Sequence, residues 1–221
     1  MMLRCTFLFS LLFYVTSLAA QRQQPFEGVI TYLVKTELKD KDNPYNKFYA
    51  QRFGDTLKVY YHKNGSERTE FNNTGQLGTE WNIYNKINNE QYTKYNNIDS
   101  VFYGSSADTI SRLDTLIGGD TLTILGKHCE SLQIKSTNIF SGEIYRKTFY
   151  FSGEEHSPPH TYTQRKAEHL DKLYAESKSR FLRWEIDQKY IYATFEAISI
   201  EQIKVDPNLF IVPRGVTKIK M

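Results

Sequence analysis

Alternating apolar and polar residues recur in one short segment after another along this chain of 221 residues, and this pattern constrains the fold most strongly. Side chains two residues apart lie on one face of a β-strand, so the alternation predicts strands with one buried face. The 16 tyrosines and 14 phenylalanines favour the same structure, because aromatic residues suit a pleated, half-buried surface. Strands are predicted at residues 26–34, 48–53, 57–62, 66–71, 81–84, 90–95, 121–126, 129–135, 143–151, 181–186 and 189–204.

One segment alone has the period of a helix. In residues 161–178, apolar side chains recur at steps of three and four, at Ala167, Leu170, Leu173 and Tyr174, with charged residues between them. Many strands followed by one late helix predict a mainly β fold, in which a large antiparallel sheet packs against one amphipathic helix. No linker divides residues 21–221, which are therefore predicted to form a single domain.

The first twenty residues predict a secretory signal peptide. They contain one charge, Arg4, then an apolar run over residues 7–15, and then small residues up to Ala20. The apolar run is short for a helix that spans a bilayer, and a retained membrane anchor is the alternative. We expect the mature chain to begin at Gln21, without a transmembrane segment, and to function in the periplasm or on the cell surface. Cys5 lies too early to be the lipid-bearing cysteine of a lipoprotein.

The charge and cysteine content exclude some classes of partner and bond. The formal net charge of +3 falls to +2 once the segment containing Arg4 is removed, which gives no reason to expect nucleic acid as a partner. Cleavage also removes Cys5, so Cys129 is left without an intramolecular disulfide partner. A lone cysteine in a predicted strand is expected to be a small buried apolar residue rather than a nucleophile.

Motifs for catalysis or for cofactor binding are missing from the sequence. His156, His160 and His169 are close in sequence, but their spacing does not place ligands on one helix face as a zinc site of the His-Glu-x-x-His type does. A Gly-x-Ser-x-Gly nucleophile motif and a phosphate-binding loop are both absent. We therefore predict a protein that is not an enzyme and has no metal or cofactor, with an unrecognised hydrolase or metal-binding protein as the open alternative.

The aromatic surface of the strands is the best candidate for a binding site. A closed or half-closed sheet lined by such side chains can hold an apolar ligand. Ile30 and Tyr32 share one strand face, as do Phe149 and Phe151, and these four residues are predicted to line the ligand site. The alternative is that they pack the sheet against its helix. Other aromatic residues in predicted strands are Tyr60, Tyr61, Tyr145, Tyr150, Tyr190 and Tyr192.

Three segments, taken in order, resemble a known family. Residues 26–32 read Phe-Glu-Gly-Val-Ile-Thr-Tyr, residues 121–129 contain Thr-Ile-Leu-Gly-Lys-His-Cys, and residues 209–213 read Leu-Phe-Ile-Val-Pro. They are similar to motifs of the GLPGLI-type family of secreted Gram-negative proteins, whose function is not settled. The Gly-Leu-Pro-Gly-Leu-Ile signature itself is absent here. The resemblance implies an architecture like that of the lipoprotein carriers LolA and LolB, a large antiparallel sheet curled as a half-barrel and covered by helix.

Together, the residues and the resemblance predict a non-catalytic periplasmic or surface protein. Its expected partner is a lipid or other apolar ligand, or a protein of the cell envelope. A structural or envelope-assembly protein with no cargo is the alternative. A continuous cavity beneath the helix would distinguish the first hypothesis from the second.

Overall fold

A computed structural model describes residues 26–153 and 162–221, and these form one large sheet of thirteen strands. Its strand order is β13-β6-β5-β4-β3-β2-β1-β12-β11-β10-β9-β7, with β8 paired to β9. All neighbours are antiparallel except β13 and β6, so the sheet is mixed. The strands are Gly28–Leu38 (β1), Thr56–Tyr61 (β2), Glu67–Asn72 (β3), Thr79–Asn85 (β4), Glu90–Tyr95 (β5), Val101–Ser105 (β6), Ser111–Gly118 (β7), Leu122–Ile124 (β8), Lys127–Asn138 (β9), Ile144–Phe151 (β10), Phe181–Asp187 (β11), Ile191–Gln202 (β12) and Lys218–Lys220 (β13).

Two meanders build the sheet, and one long ladder joins them. Strands β1 to β6 pair in sequence order, and β9 to β12 do the same with β7 at their edge. The first and twelfth strands then pair along the whole of β1. From Ile30 onward β1 alternates, with Ile30, Tyr32 and Val34 buried and Leu33 and Lys35 exposed. Asn64 and Gly65 lie in the turn between β2 and β3, where Gly65 has a positive φ of 92°, a conformation that glycine adopts readily.

The link between β6 and β7 shows that the sheet is curled. These strands are second and twelfth in the strand order, so ten strand spacings of about 4.8 Å would separate them by about 48 Å in a flat sheet. Only residues 106–110 connect them, and a link of that length spans at most about 22 Å. The two sides of the sheet therefore approach each other. No ladder joins β7 to β6 or β13 within the described residues, so the sheet is not closed.

A short helix stands where sequence predicted a strand at residues 48–53. Helix α1 spans Asn46–Gln51, and the prediction was wrong. The Asn43 side chain accepts a hydrogen bond from the Tyr45 backbone N–H at 2.8 Å, and the Asn43 carbonyl accepts one from Asn46 at 3.0 Å. This local turn starts the helix, because an asparagine side chain can replace a backbone acceptor.

The predicted helix at residues 161–178 is confirmed as a segment but is much shorter as a helix. Helix α2 spans Leu170–Ser177, and two 3-10 turns, Tyr162–Gln164 and Ala167–His169, precede it. Glu168 and His169 have φ angles of 57° and 60°, in the left-handed region that ends a regular helix. We call residues 162–177 the lid. Leu173 and Tyr174 are buried against the sheet, as predicted, whereas Leu170 and Ala167 are only half-buried.

Three clusters of buried side chains hold the elements together. The first centres on β1, β2 and β12, the second joins the lid to β10 and β11, and the third covers the opposite face of β4 to β6. The C-terminal segment contributes Val212 and Val216 to the third cluster. Pro207–Phe210 forms a 3-10 turn there, and β13 then pairs with β6. The predicted class is confirmed: a mainly β protein with one large, curled sheet and one helix packed across it.

Two further sequence predictions concern Cys129 and the N-terminal segment. Cys129 is fully buried in the first cluster, as predicted, and burial raises the pKa of its thiol. The predicted signal peptide and the start at Gln21 lie outside the described residues. No helix among residues 26–153 and 162–221 is both long and apolar enough to cross a bilayer.

Candidate ligand-binding site

A cavity of about 580 Å³ lies where the two sides of the curled sheet approach each other. Its walls come from both meanders, from helix α1, from the link between β6 and β7, and from the lid. The lining residues are Tyr49, Arg52, Gln91, Tyr95, Gly104, Ser105, Asp108, Thr109, Ile110, Ser111, Ile134, Ser136, Asn138, Glu143, Tyr145, Lys147, Ala167, Glu168, Gln188, Tyr190, Ile191 and Met221.

The cavity wall is amphipathic. Four tyrosines and three isoleucines supply apolar surface, while two cations and three carboxylates stand among them. Tyr49 and Tyr190 stack with ring centroids 5.4 Å apart. Tyr145 donates a hydrogen bond to Glu143 at 2.9 Å, and burial, reinforced by this carboxylate, raises the pKa of Tyr145. Such a wall can contact an apolar body and polar groups of the same ligand.

An ion pair between strand β10 and the lid forms part of the cavity wall. The Lys147 ammonium lies 2.8 Å from the Glu168 carboxylate. The positive charge of Lys147 lowers the pKa of Glu168, so this carboxylate is ionised at neutral pH. The lid is therefore tied to β10 at the edge of the cavity.

A serine and a histidine meet at the same edge. Ser111 Oγ lies 3.0 Å from His169 Nε2, and Ser111 lines the cavity. Burial lowers the pKa of His169, which favours the neutral imidazole. A hydroxyl beside a neutral imidazole is the pair that hydrolases use, but no hydrogen bond from a described side chain orients the other ring nitrogen of His169.

Beside the cavity, the concave side is filled by stacked rings of the lid and of strand β11. Tyr162 and Tyr174 stack at 4.2 Å, and Tyr174 stacks on Phe181 at 4.9 Å. The Tyr32 hydroxyl donates to the Phe181 carbonyl at 2.8 Å, and Phe149 packs on Phe181 at 4.7 Å. Burial raises the pKa of Tyr32 well above its usual value. We call this packed region the closed end, and the region of the cavity the open end.

Charged groups are also buried at the closed end. Glu67 of β3 accepts a hydrogen bond from the Tyr162 hydroxyl, and its second oxygen lies 2.5 Å from Arg165 Nη1. Arg180, which follows α2, is 1% exposed, and its Nη1 lies 3.6 Å from the same carboxylate. Burial opposes the charge of Arg165, but the Glu67 carboxylate outweighs it, so the pKa of Arg165 is raised. Both guanidiniums are therefore charged.

The four predicted site residues lie near one another but away from the cavity. Ile30 and Tyr32 are 0% exposed in the first cluster, and Phe149 and Phe151 are 6% and 8% exposed in the second. Phe181 connects the two pairs, because it contacts both Tyr32 and Phe149. None of the four lines the cavity in this conformation. That they contact a ligand stays a prediction.

Sequence reasoning missed most of the cavity wall. Tyr145 and Tyr190 belong to the aromatic strand positions that it singled out, but Tyr49, Arg52 and Glu168 carried no signal. His156 and His160 lie outside the described residues. Within residues 26–153 and 162–221, no three His, Cys, Asp or Glu side chains are grouped so as to hold a metal ion.

Comparisons with known proteins include a distant structural likeness. No family model matches the chain, and no curated protein matches its sequence. The crystal structure of the Mycobacterium tuberculosis lipoprotein LppX is similar with a TM-score of 0.38 and 12% sequence identity, over 87% of this chain and 96% of that one. We draw neither a fold relationship nor a function from a likeness at this level, and the GLPGLI-type resemblance stays a prediction.

Proposed function

We propose that this protein binds an amphiphilic ligand in the cavity at the open end and does not catalyse a reaction. The observation that carries the proposal is the cavity itself, of about 580 Å³, which is within the range of small-molecule sites. A sheet that only packed against its lid would be filled along its whole concave side. This sheet is filled at the closed end and open at the other.

The chemistry of the wall narrows the ligand class. Ile110 and the Tyr49–Tyr190 stack offer apolar surface, which supports the predicted lipid or other apolar ligand. Arg52 and the Lys147–Glu168 pair add charge at the same cavity. A ligand with an apolar body and a polar or charged end satisfies both parts of the wall, whereas a purely apolar ligand would desolvate Arg52 and the Lys147–Glu168 pair and offer them no new polar contact.

The four residues predicted from sequence belong to a larger version of this site. Phe149 and Phe151 lie directly beneath the lid, against Leu173 and Tyr174. If the lid moved away from the sheet, Phe149 and Phe151 would be uncovered first, with Ile30 and Tyr32 behind them. We propose that a long ligand extends along this surface from the cavity.

Secretion is part of the proposal and rests on the N-terminal sequence. We propose that the chain crosses the inner membrane, loses residues 1–20 and functions in the periplasm or at the cell surface, where its partner is a lipid or an envelope protein. N-terminal sequencing of the exported protein tests this. A first residue at Gln21 supports the proposal, and retention of the apolar run over residues 7–15 contradicts it.

The ligand proposal is tested with a pair of glycine substitutions. A Cβ added at Gly104, which lines the cavity, would meet only the Met221 methyl group at 4.0 Å, so we expect the strand to accept Gly104→Trp, with the indole occupying part of the cavity. Gly118→Trp is the matched control, because nothing lies within 4 Å of its added carbon and it is not in the cavity wall.

The measurements are native mass spectrometry of the purified protein and titration with a fluorescent hydrophobic dye. We expect a co-purifying lipid or a saturable dye site both in the unmodified protein and in the control variant Gly118→Trp. Dye affinity should fall at least about ten-fold in Gly104→Trp. Equal dye binding by both variants, or no binding by any form, would favour the envelope-structural alternative.

A hydrolase is the second candidate, favoured by the 3.0 Å approach of Ser111 to His169 at the edge of the cavity. A fluorophosphonate probe reacts with activated serines, which makes it a direct test. Our proposal of a non-catalytic protein predicts no labelling. Labelling that Ser111→Ala abolishes would establish a nucleophile and overturn that part of the proposal.

A further inference from the structure

Arg180 occupies an unusual position at the closed end. It lies between helix α2 and strand β11, and its side chain has no exposed surface. The guanidinium carbon stands 3.7 Å from the centroid of the Tyr61 ring and 5.4 Å from that of Phe26. Nη1 donates to the Tyr162 hydroxyl at 3.2 Å. One nitrogen of this buried cation is therefore satisfied by a neutral partner, with a carboxylate slightly farther away.

The charges around Arg180 do not balance. Glu67 is the carboxylate that pairs with Arg180, and it also pairs with Arg165 at 2.5 Å. Among the described residues at the closed end, two guanidiniums thus share one carboxylate. A buried charge without full compensation is strongly unfavourable, so this arrangement is one negative charge short of neutral.

The two Arg180 nitrogens for which no hydrogen bond is described lie on the same edge of the guanidinium. Both Nε and Nη2 are buried, and neither has a hydrogen-bond partner among residues 26–153 and 162–221. In a guanidinium these two nitrogens lie on one edge, and their N–H bonds point the same way. That edge is the fork that binds a carboxylate or a phosphate with two parallel hydrogen bonds. The free donors are therefore paired in the geometry of an oxyanion site and are not scattered.

We propose that this Nε–Nη2 edge of Arg180 binds an oxyanion, a carboxylate or phosphate group carried by an apolar molecule. The oxyanion supplies the missing negative charge, and the surrounding rings, Tyr61 and Phe26 among them, contact the apolar part. The edge is covered in this conformation, so the ligand enters when the lid moves. The left-handed residues Glu168 and His169 interrupt the helical backbone of the lid, and α2 has only eight residues.

This site is distinct from the proposed cavity, since none of Phe26, Tyr61, Glu67 and Arg180 lines that cavity. The inference adds an anionic end group to the ligand class, and it can fail while the cavity proposal stands. Probes that differ only in their end group separate the two. Decanoate, decyl phosphate and decanol share one chain, and they offer a carboxylate, a phosphate and a neutral hydroxyl.

The experiment is calorimetric titration of the folded protein with these three probes. We expect decanoate or decyl phosphate to bind at least about ten-fold more tightly than decanol, because a charge-assisted bidentate pair is strong in a buried site. Which of the two binds more tightly identifies the oxyanion. A preference over decanol of less than about two-fold would overturn the inference, even if all three probes bind.

Variants tie the preference to the Arg180 edge. Arg180→Met should reduce the preference below about two-fold, and Arg180→Lys, which keeps the charge but not the fork, should reduce it several-fold. Glu67→Gln removes the competing carboxylate and should keep or increase the preference. Arg183→Met is the control, because Arg183 is already paired with Glu185 and Glu196. A preference that survives in both Arg180 variants would contradict the proposal, and the Lys variant decides if the Met variant does not fold.

Discussion

The closed and open ends belong to the same face of one sheet, yet the side chains of the closed end are buried and those of the open end line a cavity. At the closed end, Tyr162, Tyr174 and Phe181 form a continuous stack, and even Glu67 and Arg180 are buried. At the open end, tyrosines and charged residues surround about 580 Å³ of empty space. The lid covers the first region and only borders the second, at Ala167 and Glu168. The comparison teaches that the lid, rather than strand composition, divides the surface into core and site.

The largest difference between the two ends should appear when the lid is charged on its buried side. Leu173→Asp places a carboxylate where the native side chain is 0% exposed, and we expect a loss of about 4 kcal/mol in the free energy of unfolding, since a buried charge without a partner is costly. Lys172→Asp is the control, because its side chain is 61% exposed. Urea unfolding measures both. Equal shifts in midpoint would mean that the lid is not packed as described.

The buried charges at the closed end should give the next largest effect. Glu67→Gln leaves Arg165 and Arg180 without their carboxylate, and we expect a loss of about 3 kcal/mol, in line with breaking a buried ion pair. Glu70→Gln, on the same strand, breaks the ion pair with Arg68. The Glu70 side chain is 36% exposed, so this substitution should change the free energy of unfolding by less than about 1 kcal/mol. Thermal unfolding of the two variants compares them directly, and a larger effect at Glu70 would reverse the comparison.

At the open end, the corresponding ion pair should matter much less for stability. Lys147→Met breaks the contact with Glu168, whose carboxylate side chain is 64% exposed, and we expect a loss below about 1 kcal/mol because solvent screens such a pair. The same substitution changes the cavity wall, so the free energy of dye binding should change more than the free energy of unfolding does. A stability loss as large as that of Glu67→Gln would show that the two ends are equally dry.

The smallest effect concerns His169, at the boundary between the ends. Burial lowers the pKa of His169 in the folded protein relative to 6.5, so below that pH the unfolded chain binds the proton more readily than the folded one does. The stability present above pH 6.5 is therefore lost as the pH falls toward the folded pKa. His169→Gln should flatten this part of the curve of stability against pH. An unchanged curve in the variant would assign the pH dependence to other groups.

Local pattern was enough to predict most strands. The alternation in β1 and β2 is a property of neighbouring residues, and a buried face on one side of a sheet imposes it directly. Residues 48–53 show the limit of this reasoning: Phe48 and Phe53 suggest a strand, but the turn at Asn43 starts a helix. For the lid, the sequence predicted a longer helix than the one that forms. Glu168 and His169 adopt left-handed φ angles and interrupt a segment whose apolar residues have a helical period.

The candidate sites depend on contacts that no local pattern encodes. The cavity forms because the sheet curls and brings Gln91 and Gly104 of one meander opposite Ser136 and Lys147 of the other. Arg180 precedes an apolar strand and is distant in sequence from Glu67, so nothing in either segment indicates that they meet. The sequence showed that Ile30 and Tyr32 share a strand face, as do Phe149 and Phe151, but it does not separate packed core from cavity wall.

The ladder between β1 and β12 has a consequence for how the chain folds. Within each meander most paired strands are neighbours in sequence, so most connections are short and close at little entropic cost. The exception is the connection between β10 and β11, which contains the lid. The two central strands are instead near opposite ends of the described chain, and their pairing must close a loop that contains nearly everything else. Folding rates fall as such distant contacts become more important. Assembly in halves, with the centre of the sheet completed last, is therefore the expected order of events, and the concave side takes shape only at that final step.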